Sequence, residues 1–210
     1  MQFARYKAAM TAQIFLIAPA SADATDCLTK LDEALAAAPV AVLLLPRGSR
    51  SEGSYKTLVK GVVARAQAAG VAVLIEGEPG LVRTLGADGL HVEGGVGDVK
   101  AATAALKPDY IVGAGAVASR HDAMSKGELG PDYLFFGPLS GPRDPEQREI
   151  ARWWAEIMEV PSVLSDPTAT AETATAEGGE FIGLGESLWT APEGVTARLG
   201  SIAKALEGAP

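Results

Sequence analysis

The phrase Gly130-Pro131-Asp132-Tyr133-Leu134-Phe135-Phe136-Gly137-Pro138 constrains the fold of this chain more than any other stretch. Its apolar run, Tyr133 to Phe136, does not alternate with polar residues and is bounded by glycine and proline. A run that short and that apolar suits a strand covered on both faces, as in a parallel sheet. The phrase recurs as Lys107-Pro108-Asp109-Tyr110-Ile111-Val112-Gly113, and in weaker form at Gly86-Ala87-Asp88-Gly89-Leu90-His91 and Gly179-Glu180-Phe181-Ile182-Gly183. The acidic residues stand at 88, 109, 132 and 180, in steps of 21, 23 and 48. The last step is twice 24. A period of about 22 residues accommodates one helix, one strand and two short loops, so the chain reads as β/α units wound one after another.

Hydrophobic periodicity fills in the units. Strands are predicted at Ile14–Ile17, Val40–Leu45, Val71–Ile75, Gly89–Val92, Tyr110–Val112, Tyr133–Phe136, Ser162–Leu164 and Phe181–Leu184. Helices are predicted at Asp23–Ala37, Ser54–Ala69, Leu81–Leu85, Val99–Leu106, Ser119–Glu128, Pro145–Glu159, Ala169–Ala176 and Pro192–Leu206. Eight strands alternating with eight helical segments predict a closed (β/α)8 barrel, one domain over residues 1–210. A doubly wound open sheet is the alternative.

Composition narrows the function. With 48% hydrophobic residues the chain can fill a sizeable core, and its net charge of −8 with only 18 basic residues argues against nucleic acid as a partner. A few arginines and backbone N–H groups still suffice for a phosphorylated small molecule. The single Cys27 excludes an internal disulfide and fits a reducing, cytoplasmic setting. No run is long enough to span a membrane. Arg5 and Lys7 before an apolar run, with Ala20-Ser21-Ala22 behind it, resemble a signal peptide, but that reading would remove the first strand of the repeat. An outward-facing tryptophan of the Trp153-Trp154 pair is a candidate contact in a homo-oligomer.

In either fold, ligands bind outside the carboxyl ends of the strands, so the residues that follow each strand carry the chemistry. Arg47 offers a fork for phosphate or diphosphate. Glu76 and Glu93 end neighbouring strands and supply hard oxygen ligands for Mg2+, with Asp98 nearby. His91, and His121 beside Arg120 and Asp122, are the acid/base candidates, although both also suit structural roles. Gly113, Gly137 and Arg143 border the same mouth. Gly183, Gly185 and Ser187 follow the last strand, where barrels often hold a phosphate on backbone N–H groups. The same glycines equally suit a tight turn, and Glu186 would repel an anion. There is no Walker-type loop, no CxxC, no nucleophile elbow and no dinucleotide glycine pattern.

These segments, in order, resemble the thiamine-phosphate synthase / TenI family. Gly86-Ala87-Asp88-Gly89-Leu90-His91 is similar to its glycine-alanine-aspartate-glycine-valine-histidine segment. Ile111-Val112-Gly113, the stretch from Asp132-Tyr133 to Gly137-Pro138, and Val160-Pro161 match later framework motifs. The resemblance implies a (β/α)8 barrel that joins hydroxymethylpyrimidine diphosphate to thiazole phosphate and releases pyrophosphate with Mg2+. It implies Arg47 for the diphosphate, and Gly183, Gly185 and Ser187 for the thiazole phosphate. The chain also departs from the family. A glutamine-leucine-arginine-x-lysine segment has become Leu45-Pro46-Arg47-Gly48-Ser49, and an asparagine-aspartate pair has become Glu76-Gly77. The metal-binding aspartate aligns with Val96, two residues before Asp98, and a serine aligns with Gly115. The threonine-x-threonine-lysine loop falls within Gly141–Pro145 without its lysine, and a double glycine is replaced around Ser165-Asp166. A catalytically silent paralogue and a TenI-like thiazole tautomerase, with His91 or His121 as base, are the other activities this pattern admits.

Overall fold

In the computed structural model, residues 12–20, 24–174 and 179–207 are described. Eight parallel strands close into a barrel in sequence order: β1 (Gln13–Ile17), β2 (Val40–Leu45), β3 (Ala72–Ile75), β4 (Gly89–Val92), β5 (Ile111–Ala114), β6 (Tyr133–Phe136), β7 (Ser162–Ser165) and β8 (Phe181–Leu184). Closure is made by β8 on β1, with Ile14 opposite Ile182 and Phe15 opposite Gly183. The surrounding helices are α1 (Ala24–Ala37), α2 (Glu52–Ala68), α3 (Pro79–Leu85), α4 (Val96–Leu106), α5 (Arg120–Gly127), α6 (Pro145–Ile157), α7 (Glu186–Trp189) and α8 (Val195–Glu207).

The uninterrupted apolar strands are explained by two cores. Phe15, Ile17, Val42, Leu44, Leu74, Tyr133, Phe135, Val163 and Phe181 fill the barrel interior. Their strand neighbours, such as Leu16, Leu43, Leu134 and Phe136, belong to the larger core beneath the helices. Alternate residues of one strand therefore both find apolar surroundings, as a parallel sheet covered on both faces requires. Inside, Phe15 meets Tyr133 edge-on at 5.5 Å between ring centroids and Phe135 at 5.7 Å. Gly113 makes room for this layer: a Cβ there would lie 1.9 Å from the Tyr133 ring.

The repeated acidic residue has a structural purpose at the amino ends of the strands. Asp88 Oδ2 accepts from Val73 N–H at 2.7 Å, Asp132 Oδ2 from Val112 N–H at 2.8 Å, and Glu180 Oε2 from Ser162 N–H at 2.7 Å. Each carboxylate stands before an even-numbered strand and holds the start of the odd-numbered strand preceding it. Asp132 also pairs with Lys107, and Glu180 also accepts from the Ser162 hydroxyl. Asp109, the copy between them, is exposed and makes no such bond among the described residues. The physical repeat is therefore two β/α units long.

One predicted helix is corrected. Residues 169–174 form turns rather than the start of the Ala169–Ala176 helix, and residues 175–178 lie outside the described residues. Thr170 N–H donates to Thr173 Oγ1 at 2.9 Å, and Thr170 Oγ1 donates to Glu172. Such local side-chain bonds compete with helical ones. A short α7 appears instead after β8. The predicted start of the first helix at Asp23, and the Arg5/Lys7 and Ser21–Ala22 features, also lie outside the described residues.

Asp132→Ala leaves the buried Val112 N–H without its acceptor and is expected to destabilise the protein by about 1–3 kcal/mol. Asp109→Ala is expected to change stability by less than about 0.5 kcal/mol. Urea unfolding of the two variants checks the contrast, and equal losses would refute the two-unit clamp.

Candidate active site at the carboxyl ends of the strands

At the carboxyl ends of β2, β3 and β4, a cleft of about 500 Å³ brings together Arg47, Glu76, His91, Glu93 and Asp98, with α4 along one side. A larger concavity, about 630 Å³, lies at the opposite end among Gln13, Ala41, Gln67, Asp88 and Phe181. Its polar groups are committed to the fold, since Gln67 Nε2 donates to Asp88 and Asp88 holds β3. Barrels carry their chemistry at the carboxyl end, so the smaller cleft is the candidate site.

Tyr55, buried on α2, sets the geometry of its first wall. Its hydroxyl donates to Leu45 O at 2.6 Å and accepts from Glu76 N–H at 2.9 Å, which ties the ends of β2 and β3 together. Burial pushes the Tyr55 pKa far up, so the hydroxyl stays protonated. Glu76 Oε2 then accepts from Arg47 N–H at 2.7 Å. Arg47 is half-buried, and among the described residues its guanidinium has no ion-pair partner. Asp98 Oδ2 accepts from Gly95 N–H at 2.9 Å at the start of α4.

His91 is 1% exposed and engaged on both ring nitrogens, with Tyr133 Oη 2.8 Å from Nδ1 and Glu93 Oε1 2.8 Å from Nε2. The ring also stacks on Tyr133 at an interplanar angle of 8°. Burial works to raise the Glu93 pKa, but the His91 hydrogen bond and charge, the Ala116 N–H and the Lys126 ammonium together hold it below the ordinary carboxylate value. Sequence reasoning missed Tyr55, Tyr133 and Lys126, because the contacts that bring them here span 21, 42 and 10 positions along the chain.

The other predicted residues lie elsewhere. His121 is exposed on the first turn of α5, where Ser119 caps the helix by accepting from Asp122 N–H at 3.2 Å. Gly113 lies beneath the mouth against Tyr133. Gly137 backs onto Ser165, whose Cβ would stand 3.2 Å from an added methyl. Around the last two strands, Arg143 pairs with Asp166 at 3.3 Å, Gly141 N–H donates to Glu186 and Ser187 Oγ donates to Ala169 O at 2.8 Å. Ser187 N–H donates to Pro167 O at 2.8 Å, and Gly183 and Gly185 pack closely against Ser165 and Pro167. The Arg143 and Ser187 donors expected for a phosphate there are thus turned onto the protein's own acceptors.

For Mg2+, the donor set permits a shared site. The ion is commonly held by one or two carboxylates together with substrate phosphates and water. Glu76 and Asp98 line the cleft, each with one oxygen bonded to backbone and a second not engaged by any described residue. Glu93, the third expected ligand, is committed to His91. No group of three or more potential metal ligands occurs among the described residues. No helix among them is long and apolar enough to cross a membrane.

A closed (β/α)8 barrel with a mixed-charge cleft at its carboxyl mouth places the protein in the TIM-barrel class. The model for thiamine monophosphate synthase matches residues 14–165, and the chain belongs to that family. It is 34% identical over 197 residues to a thiamine-phosphate synthase of Hyphomonas neptunium, covering 88% of this chain and 89% of the relative. It is 30% identical over 203 residues to one of Rhodospirillum centenum, covering 93% and 98%. The solved thiamine phosphate pyrophosphorylase from Pyrococcus furiosus shares the fold, with a TM-score of 0.75 at 17% identity over 94% of this chain and 96% of that one.

Because the folded-state pKa of Glu93 is depressed, its ionisation stabilises the fold above the ordinary carboxylate value of 4.5, and that contribution is lost as pH falls through the lower folded value. The stability gap between the wild type and Glu93→Gln should therefore hold constant above about pH 5.5 and narrow below it. Denaturant midpoints measured from neutral to acid pH test this, and a pH-independent gap would contradict it.

Proposed function

We propose that this protein is a thiamine-phosphate synthase, coupling hydroxymethylpyrimidine diphosphate to thiazole phosphate with release of pyrophosphate. The observation that carries the reading is the convergence of Arg47, Glu76 and Asp98 on one cleft at the barrel mouth, in a chain of this family. In the coupling, the thiazole nitrogen lone pair becomes a new bond to the pyrimidine methylene carbon. The carbon–oxygen bond to the diphosphate breaks, and the electron pair leaves with pyrophosphate. Negative charge grows on the leaving group, where preorganised cations are most effective.

Arg47 is the cation this chain offers there, free of an internal ion pair among the described residues. The carboxylate of Glu76 anchors the Arg47 backbone, and Tyr55 anchors Glu76, so the arginine is presented from a fixed position. Glu76 and Asp98 would hold Mg2+ together with the diphosphate. When bound, the ion neutralises the departing group. His91 lines the cleft and is hydrogen-bonded on both ring nitrogens, to Tyr133 and Glu93, and His121 stands outside the cleft lining.

One observation favours a second reading, a catalytically silent member that binds a thiamine-related phosphate. The loops after β6, β7 and β8 are bonded to one another through Arg143–Asp166 and Ser187–Ala169, which leaves few donors for a second phosphate.

Mixing both phosphorylated precursors with Mg2+ is expected to yield pyrophosphate and thiamine phosphate in equal amounts. Arg47→Ala should lower turnover by roughly 10² to 10³. Binding of one phosphorylated precursor alone, with no pyrophosphate released, would replace the first reading with the second.

A further inference from the structure

Glu93 is held in the cleft wall from two sides, and one of them has no part in the chemistry above. On the first side stands His91. An ionised carboxylate only accepts, so Nε2 donates to Glu93, while Nδ1 lies 2.8 Å from the Tyr133 hydroxyl. Burial pushes the Tyr133 pKa well up, so the phenol stays protonated.

On the second side stands the turn after β5. Ala116 has φ 46°, the one positive-φ residue other than glycine among those described. Left-handed backbone at alanine is unfavourable and needs support from its surroundings. Here it turns the Ala116 carbonyl onto Lys126, whose Nζ lies 2.9 Å away, and the Ala116 N–H is among the groups that lower the Glu93 pKa. Lys126 is 1% exposed, and its ammonium also donates to Gly115 O at 2.8 Å and pairs with Asp122 at 3.1 Å. Gly115 completes the arrangement: an added Cβ would lie 1.8 Å from Glu93 Oε1, so the carboxylate occupies the volume of the missing side chain. The Glu93 side chain remains 34% exposed on the cleft.

We propose that Glu93 is a specificity-determining counter-charge that favours a cationic heterocycle over its neutral counterpart, and that Lys126 and Ala116 are positioning residues that hold it. The choice of ligand rests on the synthase reading. In that reaction the positive charge arises on the ring side: the methylene carbon gains it as the diphosphate departs, and the thiazole becomes a thiazolium when its nitrogen forms the new bond. The cleft separates the two signs in the same way. Arg47 faces it from the end of β2, and Glu93 from the end of β4 beside the β5 turn. A fixed carboxylate aimed at a growing cation, with no reorganisation needed, stabilises it more than water does.

The test uses the full chain and two matched pairs of probes, thiamine phosphate against thiazole phosphate and N-methylthiazolium against thiazole, titrated calorimetrically. The wild type should prefer the cation in each pair. Glu93→Gln should reduce that preference by roughly tenfold or more while leaving inorganic pyrophosphate binding unchanged. Lys126→Met should shift the preference in the same direction, and Lys126→Arg should restore part of it. The proton on His91 Nε2, observed by NMR, should move upfield in Glu93→Gln as its charged acceptor is lost. An unchanged preference in Glu93→Gln, or equal weakening of cation, neutral ring and pyrophosphate, would overturn the proposal. Failure of the synthase reading shows separately, as no pyrophosphate release by the wild type, and the thiazolium/thiazole pair still decides the role of Glu93.

Discussion

The pairing of β8 with β1 is the interaction on which the rest of this structure depends. It removes both edges from the sheet and makes every strand a central one, so no backbone edge is left to solvent. It also creates an enclosed interior that apolar side chains must fill. Phe15, Tyr133, Phe135 and Phe181 do so, and Tyr133 rises far enough through this core to meet His91. The aromatic packing of the barrel and the polar order of its mouth are thus one continuous arrangement.

The two ends of the barrel divide the work. At the amino ends, carboxylates accept backbone N–H groups and fix the starts of alternate strands. At the carboxyl ends, carboxylates and one arginine face a cleft. The same residue types do opposite things because of where a strand places them. Asp132 is consumed by Val112 N–H and Lys107, whereas Glu93 is held ionised and partly open. At the far side of the mouth, Asp166 and Glu186 engage Arg143 and Gly141. The polar order of this barrel is therefore concentrated on the β2–β5 side as the place where a ligand meets unengaged charge.

Much of this was legible in the chain, and particular elements show why. The stretch Tyr133–Phe136 announced a strand buried on both faces, because only a doubly covered strand tolerates four consecutive large apolar residues. Arg47, Glu76, His91, Glu93 and Asp98 were legible as neighbours, because all lie near the ends of β2, β3 and β4 and the fold puts those positions around one cleft. The Ala169–Ala176 segment was not legible. Its alanine content suits a helix, but the β-branched threonines do not, and the Thr173 hydroxyl took the Thr170 N–H locally. Lys126 gave no signal either, since an isolated lysine four residues before a glycine-proline turn looks like a solvated charge.

By itself, the sequence determined the alternation of strand and helix, the number of units, and which positions stand at the strand ends. Those properties are local: they follow from periodicity, glycine and proline placement, and chain length between breakers. Only the tertiary structure decided what each polar group there does. It made Asp88, Asp132 and Glu180 clamps and left Asp109 in solvent, it engaged His91 on both ring nitrogens, and it turned Glu93 into an anion held from two sides. The reason is that a side chain's role is set by the donors and acceptors within about 3 Å of it, and in a closed barrel those partners come from strands and helices far apart in the chain.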